Sequence, residues 1–176
     1  MFALGIDPGV SRCGFGLVDR AGGAYRAVAA GVLTTPPADP LPERLASLAA
    51  ELSDLIAEHR PDVVVVERVF FQTNARTAMS VGQASGLALA AAAAAGCEVV
   101  QYTANEVKQA VAGYGAATKE QVQRMVQSLL SLPAPPRPAD AADALALALC
   151  HLAAAPRLER IRQAASSAAS VGGSGR

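Results

Sequence analysis

The segment DVVVVERVFF, at residues 62–71, constrains the fold more than any other part of the chain. Its four consecutive valines place apolar side chains on both faces of an extended strand, because alternate side chains point to opposite faces. A strand of this kind lies inside a sheet that is covered on each side. We therefore expect a buried central strand that holds Glu67 at its carboxyl end.

The segments around this strand predict the rest of the sheet. Turn signals and β-branched content predict three antiparallel strands before it, in FALGI, RCGFGLVD and YRAVAAGVLTT. A further strand is predicted after it, in CEVVQY. We therefore expect an α/β fold with a mixed five-stranded sheet, three antiparallel strands and then parallel strands, flanked by helices.

Helices are predicted between and after these strands. An amphipathic helix is indicated by apolar residues at helical spacing in LPERLASLAAELSDLIAEHR. Asn74 can cap a long helix that runs to about Ala95. Thr103 and Thr118 each begin a capping box, and a buried final helix is predicted in ADAADALALALCHLAAA.

The length and composition are those of one globular domain with a substantial core, since 52% of the 176 residues are hydrophobic. We assign residues 1–156 to this domain. Residues 157–176 are predicted to be a largely disordered extension, because the tail from about residue 164 is small, polar and rich in glycine. The longest alanine run is too short and too weakly apolar to span a bilayer, so we expect a soluble cytoplasmic protein.

The net charge is zero, with 15 basic and 15 acidic residues, so any site for a polyanion must be local. The three cysteines, Cys13, Cys97 and Cys150, are widely spaced and are predicted to be free thiols in a reducing compartment. His59 and His151 are both interpreted as structural. His59 suits the end of the first helix, where a cationic side chain is favourable.

Four acidic residues lie at the ends of predicted elements or among apolar neighbours: Asp7, Glu67, Asp140 and Asp143. Ionised carboxylates at the edge of a core are costly unless they are paired, hydrogen-bonded or bound to a metal. The chain shows few well-placed cations near them, and strand alternation directs Arg68 away from Glu67. Oxygen ligands without a His or Cys cluster favour Mg²⁺ or Mn²⁺ over zinc.

Other roles remain open for each carboxylate taken alone. Asp7 in an Asp-Pro-Gly sequence can begin a turn, and Asp140 can favour a helix N-terminus electrostatically. Glu67 can pair with an arginine that the sequence does not place. The metal-site hypothesis depends on the four residues as a set.

At these residues the chain resembles the RuvC-type Holliday junction resolvases, which have an RNase H-like fold. The resemblance covers residues 2 to about 152 and is carried by four stretches in order: GIDPGVSRCGFGLV, VVVVERVFFQTNARTAMSVGQASG, YTANEVKQAVAGYGAATKEQVQRMV and ADAADALALALCH. It implies that Asp7, Glu67, Asp140 and Asp143 bind the metal and are catalytic.

The resemblance also implies that Lys108 and Lys119 are catalytic residues that contact DNA near the scissile phosphate. They are the chain's two lysines, and both flank the loop AGYGAAT, although exposed lysines without a function are common. The resemblance implies that Phe70 stacks on bases at the junction centre, with core packing as the alternative for Phe70 and Phe71. Arg76 is a further candidate DNA contact, as is Arg68.

The function implied is Mg²⁺-dependent resolution of four-way DNA junctions by paired symmetrical nicks during homologous recombination and repair. Mn²⁺ can substitute, and two ions per site would activate a water that attacks the phosphodiester. The implied partners are junction DNA, a second copy of the chain in a homodimer and the RuvA–RuvB branch-migration complex, with no membrane. Two alternatives stand: an ATP-handling protein of the actin and sugar-kinase fold, suggested by the first motif alone, and a junction-binding protein that does not cut.

Overall fold

A computed structural model describes residues 1–68 and 75–172, without the side chains of residues 75–77, 162 and 165–172. The strands are β1 (Phe2–Asp7), β2 (Arg12–Ala21), β3 (Ala24–Thr34), β4 (Val63–Glu67) and β5 (Glu98–Tyr102). The helices are α1 (Leu41–His59), α2 (Ala75–Ala94), α3 (Ala104–Ala112), α4 (Lys119–Leu129) and α5 (Ala139–Gly172).

The five strands form one sheet in the order β3-β2-β1-β4-β5. The three N-terminal strands pair antiparallel, whereas β4 pairs parallel with β1 and with β5. The predicted mixed sheet, with antiparallel strands followed by parallel ones, is therefore confirmed.

The valines of β4 divide between two cores, one on each face of the sheet. Val63 and Val65 pack in the core that contains α5, and Val64 and Val66 pack in the core of α1 and α2. All four are at most 1% exposed. The prediction of a strand that is buried on both faces is therefore confirmed. Glu67, the last residue of β4, points to the same face as Val63 and Val65, which is the face on which α5 lies.

Three glycines allow α5 to lie directly on the sheet. Gly5 and Gly16 are cross-strand partners on β1 and β2, and Gly14 pairs with Asp7. A Cβ on Gly16 would lie 2.6 Å from the backbone nitrogen of Leu145, and one on Gly5 would collide with the backbone of Ala144. Side chains at these positions would push the helix away, so the glycines set how closely α5 approaches β1 and β2.

The helix α5 continues past the predicted domain boundary. Pro156 lies inside it and has no N–H for the carbonyl of Leu152 four residues earlier, but the Arg20 guanidinium donates to that carbonyl at 3.0 Å. The backbone of residues 157–172 is helical where the sequence predicted a largely disordered extension, because Leu, Arg, Glu, Gln and Ala favour helix. The division of the chain at residue 156 stays a prediction.

The first part of α5, Ala139–Ile161, is long and apolar enough by composition to cross a membrane. Within its most apolar stretch 67% of the residues are buried inside the protein. This helix packs against the sheet and against α3 and α4, so its apolar character belongs to the core of the domain.

Candidate active site

Asp7 and Glu67 lie side by side at the carboxyl ends of two parallel strands. The register of β1 and β4 ends with the pair Ile6 and Val66, so the next residue on each strand is a carboxylate. Their side chains share a hydrogen bond on the α5 face of the sheet. The parallel pairing of a short strand with the valine strand therefore brings together residues that are 60 positions apart.

Burial and mutual repulsion perturb this pair. Burial, followed by the charges of Glu67 and Asp143, raises the pKa of Asp7 to about 7 from an ordinary value of 3.8. Burial also raises the pKa of Glu67. Near neutral pH the pair can therefore hold one proton between two carboxylates, with Asp7 as the donor to Glu67.

Asp140 lies in the first turn of α5 and is paired with Arg12, the first residue of β2. The Nε and Nη2 atoms of Arg12 donate to Oδ2 of Asp140 at 3.2 and 2.8 Å. Hydrogen bonding from Arg12 is the main reason that the pKa of Asp140 is lowered. Asp140 is thus ionised and neutralised by a cation from the neighbouring strand.

Asp143, one helical turn later, is paired with Lys119 at 2.6 Å. Lys119 is the first residue of α4, and its placement is determined by the capping box of Thr118 and Gln121. The hydrogen bond to Asp143 raises the pKa of Lys119. The local sequence around Thr118 therefore positions a lysine ammonium group over the second carboxylate of α5.

A cavity of about 260 Å³ joins these groups on the β4 side of the site. Its lining includes Glu67, Asp143, Lys108 and Lys119. Lys108 lies on α3, which begins with the capping box of Thr103. Both lysines lower the pKa of Glu67 through their charges, which opposes the larger effect of burial. An anion that entered the cavity would meet two lysines beside the carboxylates.

The donor set suits a hard divalent cation. Four carboxylates act on one another strongly enough that Asp143, Asp140 and Glu67 all raise the pKa of Asp7, and a bound cation would relieve that repulsion. Within residues 1–68 and 75–172, no three acidic, His or Cys side chains already converge as ligands for one ion. In this arrangement Arg12 is paired with Asp140, and Lys119 is paired with Asp143.

Comparison with known proteins identifies the family. The family model for the crossover junction endodeoxyribonuclease RuvC matches residues 3–151. The chain belongs to the RuvC family. Among curated RuvC relatives, that of Chloroflexus aggregans is 53% identical over 160 residues, which is 91% of this chain and 98% of the relative. That of Salinispora arenicola is 52% identical over 174 residues, which is 98% of this chain and 99% of the relative.

Solved structures agree with this assignment. The RuvC of Thermus thermophilus in complex with a Holliday junction substrate has a TM-score of 0.84 and 41% identity, covering 88% of this chain and 94% of that one. A yeast mitochondrial Holliday junction resolvase has a TM-score of 0.69 at 15% identity, which shows a shared fold alone. The predicted α/β architecture is that of the RuvC family.

The structure brings together six residues predicted from the sequence: Asp7, Glu67, Asp140, Asp143, Lys108 and Lys119. Phe70, Phe71 and the side chain of Arg76 lie outside the described part of the chain. The DNA contacts predicted for Phe70 and Arg76 therefore stay predictions. Arg68 is exposed, and its side chain donates to the carbonyl of Gln101 at 3.4 Å.

Sequence reasoning missed Arg12. The expectation that few cations lie near the carboxylates was wrong, because both acidic residues of α5 have a cationic partner. Strand alternation contained the signal, since Arg12 and Gly14 share one face of β2 and Gly14 pairs with Asp7. Asp140 comes from a helix 128 residues later, so the ion pair itself could not be seen in the sequence.

The buried histidine His151 and the three free cysteines agree with the predictions from the sequence. His151 is 2% exposed, and its Nδ1 lies 3.1 Å from the hydroxyl of Tyr102, which agrees with a structural role. All three cysteines are free, with Cys13 and Cys150 buried and Cys97 partly exposed.

Proposed function

We propose that this protein is an endonuclease that resolves four-way DNA junctions by paired symmetrical nicks in homologous recombination and DNA repair. The observation that carries this proposal is the edge of the sheet where Asp7, Glu67, Asp140 and Asp143 meet Lys119, in a chain that matches the RuvC family over residues 3–151. The Thermus thermophilus relative was solved with a Holliday junction substrate, and we extend that substrate to this chain.

The four carboxylates would hold Mg²⁺, with Mn²⁺ as a substitute and two ions per site. When bound, the ions would supply Lewis acidity that polarises the phosphodiester and acidifies the attacking water. The oxygen-only donor set and the raised pKa of Asp7 support a divalent cation here.

The side chains of the protein would bind and orient the scissile phosphate. Lys108 and Lys119 line the cavity beside Glu67, where their charges can stabilise negative charge that develops on the phosphate. Without a metal ion Asp7 and Glu67 share a proton, which they would release when their carboxylates take a cation. Phe70 and Arg76 are proposed as further DNA contacts by their place in the family pattern.

We propose that the protein works as a homodimer, because symmetrical cuts in two strands require two sites related by a two-fold axis. An exposed face of α2 supports this proposal. Met79 is 65% exposed, and small residues at Gly86, Ala90 and Ala93 follow it on the same side of the helix. A face of this composition allows two helices to pack closely. We further propose that the protein acts in the cytoplasm together with the RuvA–RuvB branch-migration complex.

The decisive experiment incubates a four-way junction with Mg²⁺ and the wild-type protein, Asp7→Asn or Asp143→Asn. We expect symmetrical nicks from wild type and a loss of at least about a hundredfold in rate for each variant, because each removes a charge from the metal site. Glu58→Gln, an exposed carboxylate on α1, is the matched control and should cut normally.

Junction cleavage by both variants at the wild-type rate would show that the carboxylate assignment is wrong. Junction binding without cleavage in Mg²⁺ or Mn²⁺ would favour the binding-only alternative. ATP hydrolysis without junction cleavage would favour the ATP-handling alternative, which the family match over residues 3–151 argues against.

A further inference from the structure

Arg12 is held over the site by the same close packing that brings α5 onto the sheet. Arg12 and Gly14 point to the same face of β2, and a Cβ on Gly14 would lie 3.1 Å from the Cβ of Asp140. The start of α5 therefore rests against β2 two residues from Arg12. This contact brings the Arg12 guanidinium to the Asp140 carboxylate.

The ion pair leaves much of the guanidinium available. Both of its hydrogen bonds end on one oxygen, Oδ2 of Asp140, so they use two of the five N–H donors. The Arg12 side chain is 51% exposed and that of Asp140 is 30% exposed. Ion pairs with this much exposure contribute little to stability, so folding alone gives little reason for an arginine at this position.

The pair has a counterpart on the other side of the site. Lys119 is 54% exposed and holds Asp143 as Arg12 holds Asp140. Lys119 and Lys108 lie on the β4 side with Glu67, whereas Arg12 comes from β2 on the other side of β1. A DNA strand that crosses the carboxylates would therefore meet a cation on each side.

We propose that Arg12 is an exchangeable counterion of the metal site that becomes a phosphate contact. A divalent cation bound to Asp140 would share that carboxylate with Arg12, and the two cations repel each other. When a cation takes Asp140, the guanidinium turns to the phosphate backbone on the β2 side, which it can contact through two N–H groups. This inference rests on the proposed nuclease function.

A metal titration without DNA tests the exchange. Binding of Mn²⁺ alone, followed by electron paramagnetic resonance, is compared among wild type, Arg12→Gln and Arg26→Gln. Arg26 is the matched control, because it is an exposed arginine near Asp19 at the opposite end of β2. We expect Arg12→Gln to bind Mn²⁺ about fivefold more tightly, since a competing cation has been removed, and Arg26→Gln to match wild type. Unchanged or weaker Mn²⁺ binding by Arg12→Gln would overturn the exchange.

Junction binding tests the phosphate contact, with and without a divalent cation. Affinity is measured in Ca²⁺ and in EDTA, with denaturing gels to verify that the strands stay intact. We expect Arg12→Gln to lose about tenfold in Ca²⁺ with a salt dependence reduced by about one ion, and to lose less than about twofold in EDTA. Equal losses in both conditions, or no loss in Ca²⁺, would contradict the proposal.

These experiments distinguish a failure of the proposed nuclease function from a failure of the proposed role of Arg12. If wild type binds junctions no better than linear duplex and does not cut them, the proposed function fails. The Mn²⁺ titration then still decides whether Arg12 competes with a cation for Asp140. If wild type cuts junctions but Arg12→Gln behaves as Arg26→Gln does, the function stands and the role of Arg12 falls.

Discussion

Asp7 is a residue whose charge state depends on what lies beside it in the fold. It is mostly buried and hydrogen-bonded to Glu67, and the negative charges of Asp143 and Asp140 on α5 act on it. Each effect disfavours a second negative charge, so the pKa of Asp7 rises to about 7. A site arranged in this way stores repulsion that a proton or a cation can relieve.

This repulsion predicts a pH dependence of stability in the absence of metal. Between pH 3.8 and about 7 the folded protein holds a proton on Asp7 that the unfolded chain releases, so the free energy of unfolding falls as the pH rises. We expect a loss of a few kcal/mol over this interval, since one pKa unit corresponds to about 1.4 kcal/mol. In EDTA near pH 8, Asp7→Asn should be more stable than wild type, as measured by urea unfolding.

The exposed carboxylate Asp54 on α1 offers the control for this measurement. Asp54→Asn should follow the wild-type profile, and near pH 4 wild type and Asp7→Asn should converge, because Asp7 is then protonated in the folded protein. A lower stability of Asp7→Asn near pH 8 would mean that the pair stabilises the fold when it is ionised.

Among the elements, α5 depends on the glycines of β1 and β2 for its position. Gly16→Ala would place a methyl group 2.6 Å from the nitrogen of Leu145, where the helix backbone cannot yield without moving. We expect a loss of about 3 kcal/mol in the free energy of unfolding. Cleavage should fall as well, because a shifted α5 carries Asp140 and Asp143 away from Asp7.

Ala30 provides a matched site for the same test. It is the cross-strand partner of Gly16 on β3 and is exposed. Ala30→Ser also adds one heavy atom and should leave stability and cleavage near wild type. If Gly16→Ala were as stable as Ala30→Ser, the close approach of α5 would not depend on this glycine.

Elements differ in how well their sequences predict them. The valines of β4, the apolar spacing of α1 and the capping boxes at Thr103 and Thr118 are local signals, and the structure has these elements where they were expected. The length of α5 was less predictable. Its continuation past Pro156 is supported by Arg20, which lies on β2 and is remote in the sequence.

At the scale of the whole molecule, a net charge of zero is compatible with a DNA-binding protein because a few cations beside the site can act locally. Arg12, Lys108 and Lys119 lie at one edge of the sheet, around the carboxylates. If DNA binding uses these three residues as proposed, it should depend on the geometry of the junction more than on a general attraction to DNA.

The proposed homodimer gives a prediction at this scale. Ala90→Arg puts a charged side chain on the exposed small-residue face of α2, and we expect a monomer by light scattering. The variant should nick one strand at a time and lose paired cutting, while the fold stays intact. Ala50→Arg, on the exposed face of α1, should remain a dimer, and a dimeric Ala90→Arg would place the interface elsewhere.

The sequence by itself determined the order of the elements and the burial of the valine strand, and its resemblance to the RuvC family predicted the four carboxylates and two lysines of the candidate site. These features are encoded locally, by the alternation of side chains in a strand, by the caps of helices and by motifs in order along the chain. Only the tertiary structure decided which groups neutralise one another. Arg12 meets Asp140 across 128 positions because glycines let α5 rest on β2, and contacts of that separation depend on packing rather than on local sequence.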